Sequence, residues 1–226
     1  MRLSFPMMKQ LVLALALLGT ALGANAALYL HAQGEPAPVT GTARIDLGGR
    51  PIEIARALIR DPAQSAGGRL DRVDLMVQAA DFTPMPRMSA KEPRRPMPDG
   101  VSILLSAAGS TPDPAELFQN VYARFLARET WSNPGGLAMR RFRSGTPYED
   151  RELYLGAGGK RVFIALCPLD NHREVEPCTS VLRQDGLDIE LRFHARLLPE
   201  WRRLTASALA LTTEAAEAGA ARPGAR

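Results

Sequence analysis

The sequence predicts an α+β domain with a largely antiparallel sheet, preceded by one N-terminal apolar helix. Three observations carry this. Period-two hydrophobic segments come in runs instead of alternating with helices, which argues against βαβ units. Helical apolar faces occur at two places in the body, one inserted midway and one near the C-terminal end. Residues 11–30, LVLALALLGTALGANAALYL, form one continuous apolar stretch.

That stretch reads in two ways. As a signal peptide it has a basic n-region (Arg2, Lys9), an apolar run from Leu11 to Leu22, and the A-x-A pattern Ala24-Asn25-Ala26, with Ala27 as the new N-terminus. As a signal-anchor it meets the length of roughly 20 apolar residues that a bilayer core near 30 Å requires. Ala27 to Leu30 prolong the run past the cut, and Tyr29 then falls at the outer interface, where aromatic rings are favoured. Span length favours retention as an inner-membrane anchor through Leu11–Leu30; cleavage after Ala26 would release a soluble periplasmic protein. Under both readings the basic N-terminus stays cytoplasmic and the chain beyond His31 lies in the periplasm.

The organisation expected is therefore residues 1–30 as anchor or leader, 31–41 as linker, 42–218 as a periplasmic α+β domain and 219–226 as a disordered tail. AQGEPAPVTG, with small residues and two prolines, suits a linker. Thr42 to Leu47, the turn Gly48-Gly49-Arg50-Pro51 and Ile52-Glu53-Ile54 read as a first hairpin. Ala55 to Arg60 is too short to assign by period. After Gly67-Gly68, Val73, Leu75 and Val77 alternate with polar positions, marking a half-buried strand. Asp81 to Gly100 carries five prolines and no apolar period, and reads as a long exposed loop. Val101 to Ala108 is the partner strand.

Asp113-Pro114-Ala115-Glu116 resembles a capping box with proline at the first helical position. Leu117, Phe118, Val121, Tyr122, Phe125 and Leu126 then lie on one helical face, to be packed on a sheet. Asn133-Pro134-Gly135-Gly136 is a turn. Strands are expected at Leu137–Phe142, Glu152–Leu155, Arg161–Cys167 and Leu187–His194, with Gly156 to Gly159 closing a hairpin and Thr179–Arg183 adding a short strand. A last helix starts near Pro199, with Trp201, Leu204, Ala208 and Leu211 on one face. Trp131 and Trp201 are expected in the core.

Composition narrows the partners. Charged residues make up 23% and hydrophobic residues 46%, as in a globular domain. Of the 28 Lys and Arg, Arg2 and Lys9 precede the apolar run, leaving 26 against 24 Asp and Glu in the body. No concentrated basic face is readable, so no nucleic-acid partner is expected.

Cys167 and Cys178 flank ten residues, CPLDNHREVEPC. An even count in an exported domain favours a disulfide. His172, with Asp170, Glu174 and Glu176 nearby, raises a metal site as the alternative, but the close paired spacing of structural zinc sites is missing. No cofactor is expected. No nucleophile elbow, phosphate loop, H-E-x-x-H helix or calcium loop appears, which favours a non-catalytic domain; a triad assembled in space would leave no such signature. His194 ends a strand whose polar face is expected to be solvated. The densest polar stretch runs from Arg140 to Leu155. Its guanidinium groups, Arg140, Arg141, Arg143 and Arg151, read either as members of surface ion pairs or as an anion or partner patch. Arg87, Lys91, Arg94 and Arg95 make a second basic cluster, in the proline-rich loop.

Three stretches, GGRPIEIARALIRDPAQSAGGRLDRVDL, LAMRRFRSGTPYEDRELYL and LDIELRFHARLLPEWRRL, resemble an uncharacterised family of membrane-anchored envelope proteins from alphaproteobacteria. The resemblance implies an N-terminal anchor and an external domain with no established activity, and offers no catalytic residues. The expectation is thus a non-catalytic binding or scaffold domain for another envelope protein. The alternative is a cleaved, soluble periplasmic hydrolase or small-ligand binder.

Overall fold

In the computed structural model the described residues are 39–86, 98–109, 112–133, 135–158, 161–169 and 176–221. The apolar stretch Leu11–Leu30, His31, the loop cluster from Arg87 to Arg95, and Asp170, His172 and Glu174 lie outside them. Among the described residues no helix is long and apolar enough to cross a membrane.

Eleven strands are described. The first hairpin forms as expected: β1 (Thr42–Leu47) and β2 (Arg50–Ala55) pair antiparallel, Leu47 opposite Arg50. Gly48 and Gly49, both at positive φ, make the turn. The ambiguous segment after β2 is a 3-10 turn, Arg56–Leu58, and Ile59 then bridges to Leu75. β3 (Gly68–Leu70) was not expected; it pairs with β1 in parallel, so the strand order here is β2-β1-β3, a small sheet separate from the main one. Gly67 tolerates the close approach of β1, because a Cβ there would lie 2.4 Å from the Arg44 carbonyl oxygen.

The main sheet has eight strands. β4 (Arg72–Gln78), β5 (Gly100–Ala107), β6 (Trp131–Asn133), β7 (Leu137–Arg141), β8 (Arg151–Gly158), β9 (Arg161–Pro168), β10 (Cys178–Gln184) and β11 (Leu187–Phe193) lie in the order β4-β5-β11-β10-β9-β8-β7-β6. Every neighbouring pair is antiparallel. The largely antiparallel α+β expectation therefore describes the domain, with the β1–β3 pair as its parallel exception.

Alternation sets the two faces. Val73, Leu75, Val77, Val101, Ile103, Leu105, Ile189, Leu191 and Phe193 point to one side and are fully buried. Ala43, Ile45, Leu47 and Ile52 of the small sheet and Leu204 and Ala208 of the C-terminal helix complete that core. On the other side Leu126, Phe142, Leu153 and Ile164 form a second, smaller core beneath Phe118, Tyr122, Phe125 and Tyr148. β8 and β9 are thus apolar on both faces, which is why their sequences lack a clean alternation.

The inserted helix begins as the capping signature indicates. Asp113 accepts hydrogen bonds from the backbone N–H of Ala115 (2.9 Å) and Glu116 (3.3 Å), ahead of α1 (Pro114–Leu117). A π turn over Phe118–Tyr122 widens it before α2 (Ala123–Phe125). The C-terminal helix differs at both ends from the expectation. Ala195–Glu200 is a 3-10 turn containing Pro199, and α3 spans Trp201–Ala221. It continues past residue 218 because Gly219 packs against Pro51 and Ile52 of β2.

Candidate functional site

The cysteines close first. Cys167 on β9 and Cys178 on β10 are joined by a disulfide and lie fully buried in the main core. Register puts them side by side, since Thr179 faces Leu166 and Ser180 faces Ala165. The sulfurs are bonded to each other, so neither is a thiolate ligand, and the metal alternative built on this loop loses its two strongest donors.

The four arginines singled out in the sequence do not converge. Arg140 and Arg141 are consecutive on β7 and leave opposite faces of the sheet. Arg140 donates to the Ala127 carbonyl and Arg143 to the Arg124 carbonyl, so both satisfy carbonyls at and just beyond the end of the inserted helix. Arg141 instead pairs with Glu152 on β8 (Nε to Oε1, 3.2 Å) and lies 5.6 Å from the Trp131 ring centre. Arg151 holds Glu176 at 2.8 Å and Asp150 at 3.6 Å. Arg141 and Arg151 thus meet opposite charges across strands and loops, while Arg140 and Arg143 meet backbone carbonyls.

Two carboxylates are buried, and one of them, Asp188, contradicts the expectation that the polar face of the Leu187–His194 strand is solvated. Glu152 is 1% exposed; it accepts a hydrogen bond from the Tyr154 hydroxyl (2.9 Å) beneath Arg141. Asp188, 2% exposed, accepts from Arg183 Nε (2.6 Å) and from the backbone N–H of Gly109 (3.1 Å). Arg183 also reaches Asp113 at 3.7 Å, and its guanidinium is held further above its usual range by the Asp188 hydrogen bond. This pair ties β10 and β11 to the start of the inserted helix. His194 caps the Ala195–Glu200 turn, its Nδ1 accepting from Arg196 N at 3.2 Å. Trp131, expected in the core, is 40% exposed on the edge strand β6.

Sequence reasoning missed a groove between α3 and the β9–β10 pair. It encloses about 210 Å³ and is lined by Val162, Phe163 and Leu182 from the sheet and by Trp201, Arg202, Thr205, Ala206 and Leu209 from α3. The α3 members recur at three- and four-residue steps from Arg202, a face beside the one expected to be apolar. Trp201 is the floor: its ring stacks on Phe163 at 5.0 Å and its indole N–H donates to the Gly135 carbonyl at 2.9 Å. Arg202 lies over the same ring at 4.4 Å. Neither His194 nor Arg140 to Arg143 lines the groove, and its walls are predominantly apolar.

These features define an α+β domain with a disulfide-bridged antiparallel sheet and a covering C-terminal helix. Its fold is similar to an immunity protein of the Stenotrophomonas maltophilia type IV secretion system, with a TM-score of 0.57 at 14% identity over 77% of this chain and 92% of that one. A looser similarity joins it to the iron-regulated outer membrane lipoprotein FrpD of Neisseria meningitidis, with a TM-score of 0.47 at 10% identity over 81% of this chain and 96% of that one. No protein-family model and no curated protein matches the sequence.

Proposed function

We propose that this chain is a non-catalytic envelope protein, anchored in the inner membrane through Leu11–Leu30, whose α+β domain faces the periplasm and binds another envelope protein. The observation that carries the address is the buried Cys167–Cys178 disulfide, a bond that forms and persists in oxidising compartments. The basic residues before the apolar stretch, and the resemblance to membrane-anchored envelope proteins, support the same orientation. A non-catalytic role is favoured by what the polar clusters do: Arg140, Arg143, Asp188 and His194 each serve a cap or an internal pair.

Membrane fractionation with N-terminal sequencing tests the anchor. The intact chain is expected in the membrane fraction and to resist alkaline carbonate. A mature chain beginning at Ala27 in the soluble fraction would make it the cleaved periplasmic protein instead. In-cell chemical crosslinking followed by mass spectrometry tests the binding role. One defined protein adduct is expected, and its absence at native expression would defeat that role.

A further inference from the structure

The groove beside α3 has the size of a seat for one side chain. Its volume of about 210 Å³ falls below the roughly 300–1,000 Å³ common for small-molecule sites. Its floor is rigid, because Trp201 is fixed by its stack on Phe163 and by its hydrogen bond to Gly135. Its mouth is apolar on the sheet side, where Val162 is 57% exposed. One charged group interrupts the apolar lining. Arg202 stands on the rim, donating to the Gly135 carbonyl at 2.8 Å, with most of its five N–H groups left over. It is the one charged residue among the described side chains that line the groove, and a partner carboxylate is matched to it while an ammonium is repelled. A small apolar hole with an aromatic floor and an arginine rim is the arrangement found where interfaces concentrate their binding energy.

We infer that this groove seats a single apolar side chain of a partner protein, with a neighbouring Asp or Glu of that partner paired to Arg202. The inference rests on the reading that the domain binds another protein, and it names the place and the chemistry of that contact.

Benzoylphenylalanine placed in the full-length chain in cells tests it, at Ala206 or Leu209 in the groove and at Arg192 on the opposite face of the sheet. Both groove positions are expected to photocrosslink to the same protein, at a segment with an apolar residue within two positions of Asp or Glu. Position 192 is expected to give no adduct with that protein. Arg202→Glu should cut the groove adduct about tenfold, and changing the partner's carboxylate to lysine should restore it. Circular dichroism and an intact disulfide establish that R202E is folded; if it is not, Arg202→Gln replaces it, with a smaller loss expected. Groove adducts with lipid alone, or with a protein segment lacking a carboxylate, overturn the inference. So does R202E leaving the yield unchanged. A partner captured by the chemical crosslinker but not from the groove overturns the inference and leaves the proposed binding role standing. Capture by neither defeats both.

Discussion

Phe163 and Trp201 lie stacked at 5.0 Å with 27° between their planes, and this pair joins β9 to the first turn of α3. Gly156, on the neighbouring strand β8, makes room for it. A Cβ at Gly156 would lie 2.8 Å from Cζ2 and 3.0 Å from Cε2 of Trp201, and 2.9 Å from Cδ2 of Leu137. Trp201 and Leu137 are each 2% exposed, so their packing resists the shift. Gly156→Ala is therefore expected to destabilise the domain by about 1–3 kcal/mol through overpacking, read as a lower urea midpoint at unchanged slope. Trp201 fluorescence, measured with Trp131→Phe as background, should shift in the folded state.

The other end of α3 gives a prediction whose sign is informative. On propensity alone, Gly219→Ala in a helix gains up to about 1 kcal/mol. Here a Cβ would stand 2.3 Å from the Pro51 carbonyl oxygen and 2.6 Å from Ile52 Cα, both backbone atoms of β2. Overpacking should win, giving a net loss of about 1–3 kcal/mol. A stabilised G219A would mean that this last turn does not pack on β2.

Gly219 also marks where sequence reading stops. A glycine among alanines near a chain end looks like fraying, because the strand that it meets is more than 160 residues away. The strands β4, β5 and β11 were readable, since one face is core and the other polar, and alternation follows. So was the Asp113 cap, a local interaction. β3 and β6, three residues each, have no period to detect. Asp188 occupies a polar position of a well-read strand, but the chain at Gly109 and the Arg183 side chain cover it. The arginine-rich stretch was visible as charge, while the direction of each guanidinium depended on tertiary partners. The groove required two strands and a helix to be brought together, and no local signal announces that.

The disulfide gives a third prediction. It links adjacent strands across a separation of 11 residues, and in the chain-entropy account closing such a loop stabilises by about 3 kcal/mol. Replacing Cys167 and Cys178 together with alanine should lower stability by that order, a little more if the vacated core space fails to close. Urea titrations of the oxidised, reduced and double-alanine forms separate the two contributions. Equal stability of the oxidised and reduced forms would show that the bond does not constrain the unfolded chain.

Alkaline pH should loosen the second core first. Tyr122 packs edge-on against Tyr148 at 5.2 Å and Phe142 at 6.0 Å beneath the inserted helix. Burial raises its phenol above the ordinary range, and the neighbouring Tyr148 adds to the effect. The neutral form is thus favoured in the folded state. The contribution is fully present below the unfolded value of about 10 and is lost as pH rises through the higher folded value. Lysine contributes little in this range, because the chain has only Lys9, Lys91 and Lys160. Urea midpoints measured from about pH 8 to pH 11 should stay level and then fall. Tyr122→Phe, which keeps the ring and removes the proton, should flatten that fall. An identical alkaline slope in wild type and Y122F would show that the hydroxyl remains as well solvated in the folded chain as in the unfolded one.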